Sequence, residues 1–205
     1  MFQIYIYKDP ETPDRRLALL QDAARAFTPH LTAADLSISR SPEGKPFFNA
    51  PSASDLHFSI SHSGGLWACI LGKDRCGIDL QENQSCRQDD IAARYFTNTE
   101  ADYVKQSGLS GFYRIWTRRE ALAKYTGLGF FGMGRELPDF GERDESQERE
   151  EDGKQVRLRD FVIWNEQKVW FHEVVVYEAA ADAGFTMVWC STEEKGEAEI
   201  VDRRE

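Results

Sequence analysis

No apolar run in this chain approaches the roughly 20 residues that a membrane-spanning helix needs, and the densest stretch, Leu66 to Leu71, is short. No membrane partner is expected. Cysteine is scarce, and Cys69, Cys76, Cys86 and Cys190 form neither a CxxC pair nor a disulfide framework. The opening residues, Met1-Phe2-Gln3-Ile4-Tyr5-Ile6-Tyr7, lack a basic leader and a long apolar region, so they do not read as a secretion signal. A cytoplasmic protein with reduced, mostly packing thiols is the expectation. Basic residues are also outnumbered, 25 against 35 acids, for a net charge of −10. A general nucleic-acid binder would need a basic footprint, so that class is set aside.

The acidity is unevenly distributed. Asp139 to Asp152 carries −6 and Glu193 to Glu205 carries −3, which leaves the remaining chain almost neutral. Both segments read as flexible, an acidic loop over 139–152 and an acidic tail over 193–205. The rest has the makings of a core: 41% of the 205 residues are hydrophobic and thirteen are Phe, which excludes wholesale disorder.

The periodicities describe an α+β chain. Phe2, Ile4 and Ile6 alternate as on a strand, and Pro13 to Phe27 has Leu17, Leu20, Ala24 and Phe27 at helical spacing. A strand near Leu36 to Arg40 runs into a turn at Ser41-Pro42-Glu43-Gly44. Leu66 to Leu71 and Cys76 to Leu80 read as strands joined by a hairpin-like turn at Gly72-Lys73-Asp74-Arg75. Helices are expected at about 87–96, 98–106 and 112–126, the middle one opened by a capping box of Thr97 and Glu100. Strands return at about 156–163, 168–178 and 184–191. Two similar α+β halves, 1–88 and 89–205, are the preferred architecture, although no internal repeat is visible.

Three segments carry candidate chemistry. In Trp116 through Lys124, Glu120 and Lys124 share a helical face at i and i+4, an arrangement that also stabilises any exposed helix by roughly 0.2–0.5 kcal/mol. In Gly77-Ile78-Asp79-Leu80-Gln81, an extended backbone puts Asp79 and Gln81 on one face and Leu80 on the other. Asp79 then offers a hard oxygen to Mg²⁺, with the Gln81 amide oxygen as a weaker neighbour and Glu120 as a second carboxylate. Asp79 read alone is equally a turn or edge residue. Phe58-Ser59-Ile60-Ser61-His62-Ser63-Gly64 supplies hydroxyls and an imidazole that can donate to phosphate oxygens, and is otherwise a polar turn. A Ser61-His62 hydrolase dyad is disfavoured, because adjacent residues on extended backbone point apart and no G-x-S-x-G elbow is present. Lys45, in Gly44-Lys45-Pro46, is either a phosphate contact or a solvated turn lysine.

Taken in order, Gly44-Lys45-Pro46, Phe58 through Gly64, Gly77 through Gln81, Phe96-Thr97-Asn98-Thr99-Glu100 and Trp116 through Lys124 resemble the Sfp-type 4′-phosphopantetheinyl transferases of the holo-acyl carrier protein synthase superfamily. The similarity spans about residues 40–130 and continues more loosely to about 191. It implies a pseudo-twofold α+β fold with coenzyme A (CoA) and Mg²⁺ in the cleft between the halves. The implied reaction transfers the phosphopantetheine arm of CoA to a serine of an acyl or peptidyl carrier protein, releasing adenosine 3′,5′-bisphosphate.

By the same resemblance, Asp79 and Glu120 hold Mg²⁺, with Gln81 as the third, weaker metal position, and Glu120 also accepts the carrier serine's proton. Ser61, His62 and Lys45 bind CoA phosphates, while Arg119 and Lys124 neutralise the pyrophosphate. Arg16 is the candidate for the 3′-phosphate. Gln81 stands where the commoner pattern has Glu, removing one negative charge from the metal site. Arg114, Arg118 and the aromatic pair Phe130-Phe131 are candidates for meeting the carrier protein. A monomer is expected, since two fused halves are self-sufficient. The competing readings are a CoA-binding regulatory protein without transfer and a metal-dependent nucleotide pyrophosphatase.

Overall fold

The computed structural model describes residues 1–129, 137–143, 156–174, 176 and 184–204. The alternation in β1 (Phe2–Lys8) shows how its layers form. Phe2, Ile4 and Ile6 enter one core while Tyr5 enters another, so the strand is covered on both faces. The central strand β5 (Leu66–Gly72) repeats the pattern and is buried throughout: Trp67, Cys69 and Leu71 face one side, Leu66, Ala68 and Ile70 the other. On the first side lies α1 (Pro13–Phe27), with Leu20, Ala23 and Ala24 in the core. Leu17 is 38% exposed, so the buried stripe is narrower than the sequence spacing suggested.

Two short strands follow α1: β2 (Ile38–Arg40) pairs with β3 (Pro46–Phe48). The serine-rich segment is itself a strand, β4 (His57–Ser63), turning through Gly64-Gly65 into β5. After β5 the chain leaves the sheet. The link at Gly72 to Arg75 carries it to β6 (Gly77–Glu82), which pairs with a different sheet, so the expected hairpin is not formed.

The helical region comprises α2 (Gln88–Tyr95) and α3 (Asn98–Thr126). The two helices expected over 98–106 and 112–126 are one run interrupted at Gly108, whose φ of 63° and ψ of −147° are not helical. Thr97 and Glu100 close the capping box: Thr97 Oγ1 accepts from the Glu100 N–H and Glu100 Oε2 accepts from the Thr97 N–H. Beyond α3 come β7 (Gly141–Arg143), β8 (Val156–Leu158), β9 (Phe161–Trp164), β10 (Gln167–Val174), β11 (Phe185–Ser191) and β12 (Ala198–Asp202).

Two four-stranded sheets result, ordered β12-β1-β5-β4 and β6-β11-β10-β9. The sheets do not divide at residue 88. β6 joins the sheet of later strands, and β12 returns to pair in parallel with β1. The acidic tail is thus not a free end over its described length; Ala198–Asp202 is an edge strand. Of the acidic loop, 144–152 lies outside the described residues, as does Phe130-Phe131.

The layers run α1, first sheet, second sheet, α3. Ile78, Leu80, Met187 and Trp189 of the second sheet meet the first sheet. On its far side, Val169, Phe171, Val188 and Cys190 meet Ala121, Leu122 and Tyr125 of α3. This close packing depends on Gly77. A Cβ there would lie 2.0 Å from the Ala121 carbonyl oxygen, so only glycine lets α3 sit directly on β6. No helix among the described residues is long and apolar enough to cross a membrane.

Candidate active site

Where the two sheets meet, side chains do the work of a backbone ladder. The hydroxyls of Ser59, Ser61 and Ser63 on β4 accept the N–H groups of Ile78, Leu80 and Glu82 on β6, at 3.1, 3.1 and 3.0 Å. The strand period of two sends all three serines the same way, which satisfies buried donors that would otherwise be unpaired. The Ser-x-Ser-x-Ser spacing of Ser59, Ser61 and Ser63 is the sequence signal of this seam.

Ser61 connects this seam to the charged residues. Its Oγ donates to Asp79 Oδ1 at 2.8 Å and accepts from the Leu80 N–H and from Lys124 Nζ at 2.9 Å. One donor and two acceptors exhaust a hydroxyl, and Ser61 is only 6% exposed. The structure therefore engages Ser61 with Asp79 and Lys124 rather than presenting it to solvent. Asp79, 1% exposed, also takes Lys124 Nζ at 2.7 Å and, on Oδ2, Gln81 Nε2 at 3.1 Å. Asp79 and Gln81 share a face, as their spacing requires.

Glu120 enters from α3, one turn before Lys124. Its side chain makes no hydrogen bond among the described residues. Burial, reinforced by the nearby Asp79 charge and opposed by Lys124, raises the Glu120 carboxyl above its ordinary range. Glu120 and Lys124 line a cavity of about 300 Å³ together with Arg40, Glu43, Lys45, Phe58 and Ile60. Lys45 is brought in by the β2–β3 turn, and its Nζ donates to the Tyr125 carbonyl at 3.0 Å. Burial lowers the proton affinity of this ammonium. Its two remaining N–H bonds are available to an anion in the cavity.

Arg119, His62 and Arg16 are not among the residues that line the cavity. Arg119 follows Arg118 and precedes Glu120, so a helical turn of about 100° per residue carries it away from the cavity. It is 2% exposed and paired with Glu100, which is wholly buried. Glu100 accepts in addition from the Thr97 and Phe140 N–H groups, at 2.8 and 3.0 Å, and the Arg119 guanidinium lies over Phe96. The sequence supplied the capping box but gave no sign that the same carboxylate binds an arginine. His62 takes the opposite face from Ser61 and meets Arg16 at 3.4 Å. Arg16 is itself held by Asp9 through two hydrogen bonds of 2.6 and 2.7 Å, a partner not foreseen; these hold the Asp9 carboxyl low.

Arg118 is likewise buried, and together with Arg114 binds Glu173 of β10. It does not form an exposed docking patch. Of the thiols, Cys69, Cys76 and Cys190 are buried and Cys86 is exposed.

Comparison with known proteins covers the same region. Residues 75–174 match the family model of the 4′-phosphopantetheinyl transferase superfamily. A 4′-phosphopantetheinyl transferase of Bacillus subtilis is 33% identical over 111 residues, covering 52% of this chain and 47% of that protein. The gsp enzyme of Aneurinibacillus migulanus, of the same name, is 33% identical over 92 residues, covering 43% and 37%. The AcpT enzyme of Salmonella typhimurium is 35% identical over 92 residues, covering 42% and 46%. The chain spans about half the length, or less, of these relatives. The stretch that resembles the 4′-phosphopantetheinyl transferase superfamily includes Asp79, Glu120 and Lys124.

Proposed function

We propose that the protein transfers the 4′-phosphopantetheine arm of CoA to a serine of an acyl or peptidyl carrier protein. The observation that carries this reading is the convergence of Lys45, Glu120 and Lys124 on one cavity, with Asp79 held against Lys124 behind it. Two ammonium groups facing a carboxylate suit a pyrophosphate whose charge must be spread as one of its bonds breaks.

The donor set suits Mg²⁺. Asp79 raises the proton affinity of Glu120, so the two carboxylates repel one another, and a divalent cation relieves that repulsion. Among the described residues there is no group of three or more His, Cys, Asp or Glu able to hold a metal. Two carboxylates are nevertheless the number that Mg²⁺ commonly takes from protein, with substrate phosphates and water supplying the rest. Asp79 and Glu120 would hold the ion, which supplies charge neutralisation at the pyrophosphate.

The chain's own residues perform the other tasks. Lys45 and Lys124 bind and orient the pyrophosphate, and Ser61 keeps Lys124 and Asp79 in register. The carrier serine oxygen forms a new bond to the phosphorus that carries pantetheine, and the bond from that phosphorus to the bridging oxygen breaks. Adenosine 3′,5′-bisphosphate leaves with the electron pair. The serine proton passes to Glu120, directly or through water, and the raised proton affinity of Glu120 favours acceptance. Arg16 and His62, which meet at 3.4 Å, are our candidates for the 3′-phosphate of CoA.

The proposal extends to the architecture and setting. Two α+β portions in a pseudo-twofold arrangement would place CoA between them. In support, the two four-stranded sheets meet at the β4–β6 serine seam, with α1 and α3 on the outer faces. We take the protein to act as a cytoplasmic monomer.

Intact-mass analysis of apo carrier proteins incubated with the protein, CoA and Mg²⁺ tests the reading. A phosphopantetheine mass gain that requires metal and disappears in Glu120→Ala supports it. CoA hydrolysis without a carrier protein would instead identify a pyrophosphatase, and CoA binding without turnover a regulatory protein.

A further inference from the structure

Asp79 has its two oxygens satisfied by different parts of the fold. Oδ1 receives Ser61 and Lys124, whereas Oδ2 receives the Gln81 amide at 3.1 Å from two residues along the same strand. A carboxylate only accepts hydrogen bonds, so the group facing Oδ2 must be the NH₂ end of Gln81. The amide oxygen then points away from Asp79. With the Gln81 oxygen facing inward, two acceptors would meet at hydrogen-bond distance with no proton between them.

We propose that Gln81 is a positioning residue for Asp79, acting as a donor through Nε2 rather than as a metal ligand through Oε1, and that it sets the metal affinity of the site by keeping it one charge less negative. This inference rests on the proposed metal role of Asp79 and Glu120. A glutamate at position 81 would present a second carboxylate to Asp79 at the distance where Gln81 now donates. Those like charges would need a cation between them. With glutamine, the Gln81 donor takes that place, so Oδ2 of Asp79 is held in its orientation without a metal ion. Asp79, Glu120 and Lys124 then carry a net charge of only −1. Divalent-ion affinity follows the charge of the ligand set, so the protein alone binds the ion weakly, and the pyrophosphate of CoA supplies the missing negative charge.

The test uses the full chain with Mn²⁺ as probe and neither CoA nor carrier protein present. Mn²⁺ binding is read by electron paramagnetic resonance, with Gln81→Glu expected to bind about tenfold more tightly than the natural chain because the ligand charge rises by one. An unchanged or weaker affinity in Gln81→Glu overturns the proposal. A second readout is the Gln81 side-chain NH₂ pair in ¹H–¹⁵N spectra, identified by its loss in Gln81→Glu. These resonances are expected to shift in Asp79→Ala, and shifts that stay fixed overturn the proposal. If Asp79→Ala does not fold, the Mn²⁺ comparison decides alone. Neither readout involves transfer, so failure of the natural chain to modify any carrier protein would overturn the proposed function and leave both results standing.

Discussion

Lys124 Nζ lies 2.7 Å from Asp79 Oδ1, a contact that joins α3 to β6 across 45 residues of sequence. The Asp79 side chain is 2% exposed and that of Lys124 is 29% exposed. Removing the cation therefore leaves a buried carboxylate with only neutral donors. Because Lys124 is partly solvated, Lys124→Ala should cost about 2 kcal/mol, less than the roughly 3–5 typical of breaking a fully buried pair. Thermal unfolding should fall by about 4–8 °C. On the proposed function, carrier-protein modification should fall by about a hundredfold or more, since Lys124 is there assigned to the breaking bond. Lys124→Arg should recover stability more fully than activity, because the guanidinium keeps the charge but not the point geometry.

Glu120 gives a prediction with a definite sign. Its proton affinity is raised in the folded protein, so its contribution to stability is present below the unfolded carboxylate range and is lost as pH rises through the folded value. Glu120→Gln should raise the melting temperature at pH 7 in the absence of divalent ions. The gain should shrink as pH falls through the folded value and should be gone below about 4, where both states of the natural chain are protonated. Transfer should be lost in the same variant. A melting temperature that drops at pH 7 would contradict the burial and repulsion that act on Glu120.

Arg119 and Glu100 predict a different phenotype. Glu100→Ala leaves a buried guanidinium unpaired and removes an N-terminal cap, which should cost about 3–5 kcal/mol by urea denaturation. Arg119→Lys should lower the unfolding midpoint while leaving the KM for CoA unchanged, since Arg119 lies in the core rather than in the cavity. A large rise in that KM with unaltered stability would place Arg119 at the ligand.

Among the described glycines, Gly77 has the closest backbone contact a Cβ would meet. Gly77→Ala would drive a methyl group into the Ala121 carbonyl and the Tyr125 backbone nitrogen, at 2.0 and 2.7 Å. Either α3 lifts from β6 or the strand shifts. Overpacking of this kind costs roughly 1–3 kcal/mol or more. Because α3 also carries Glu120 and Lys124, transfer should fall further than the loss of folded protein explains, a difference measurable by comparing activity with circular dichroism on the same sample.

The parts of this fold legible in the sequence are those with a local cause. Phe2, Ile4 and Ile6 revealed a strand by alternation, and Thr97 with Glu100 revealed a helix start through a short-range hydrogen-bond pattern. The spacing of Asp79 and Gln81 on β6 likewise fixed their common face. Helical periodicity over 98–106 and 112–126 was also legible, and Gly108, with non-helical backbone angles, interrupts the run between them. The Gly72 to Arg75 link misled because a hairpin turn and a crossing between sheets draw on the same turn residues.

Residue order and chemistry alone determined that Glu120 and Lys124 share a helical face, that Ser61 and His62 diverge, and that an α+β chain with hard oxygen donors was to be expected. Tertiary structure decided what each group meets. It paired Lys124 with Asp79, buried Arg119 against Glu100, placed Arg16 between Asp9 and His62, and returned Ala198–Asp202 to β1. Helical and strand periods fix the direction of a side chain relative to its neighbours in the chain, whereas its partner depends on which distant surface is packed there.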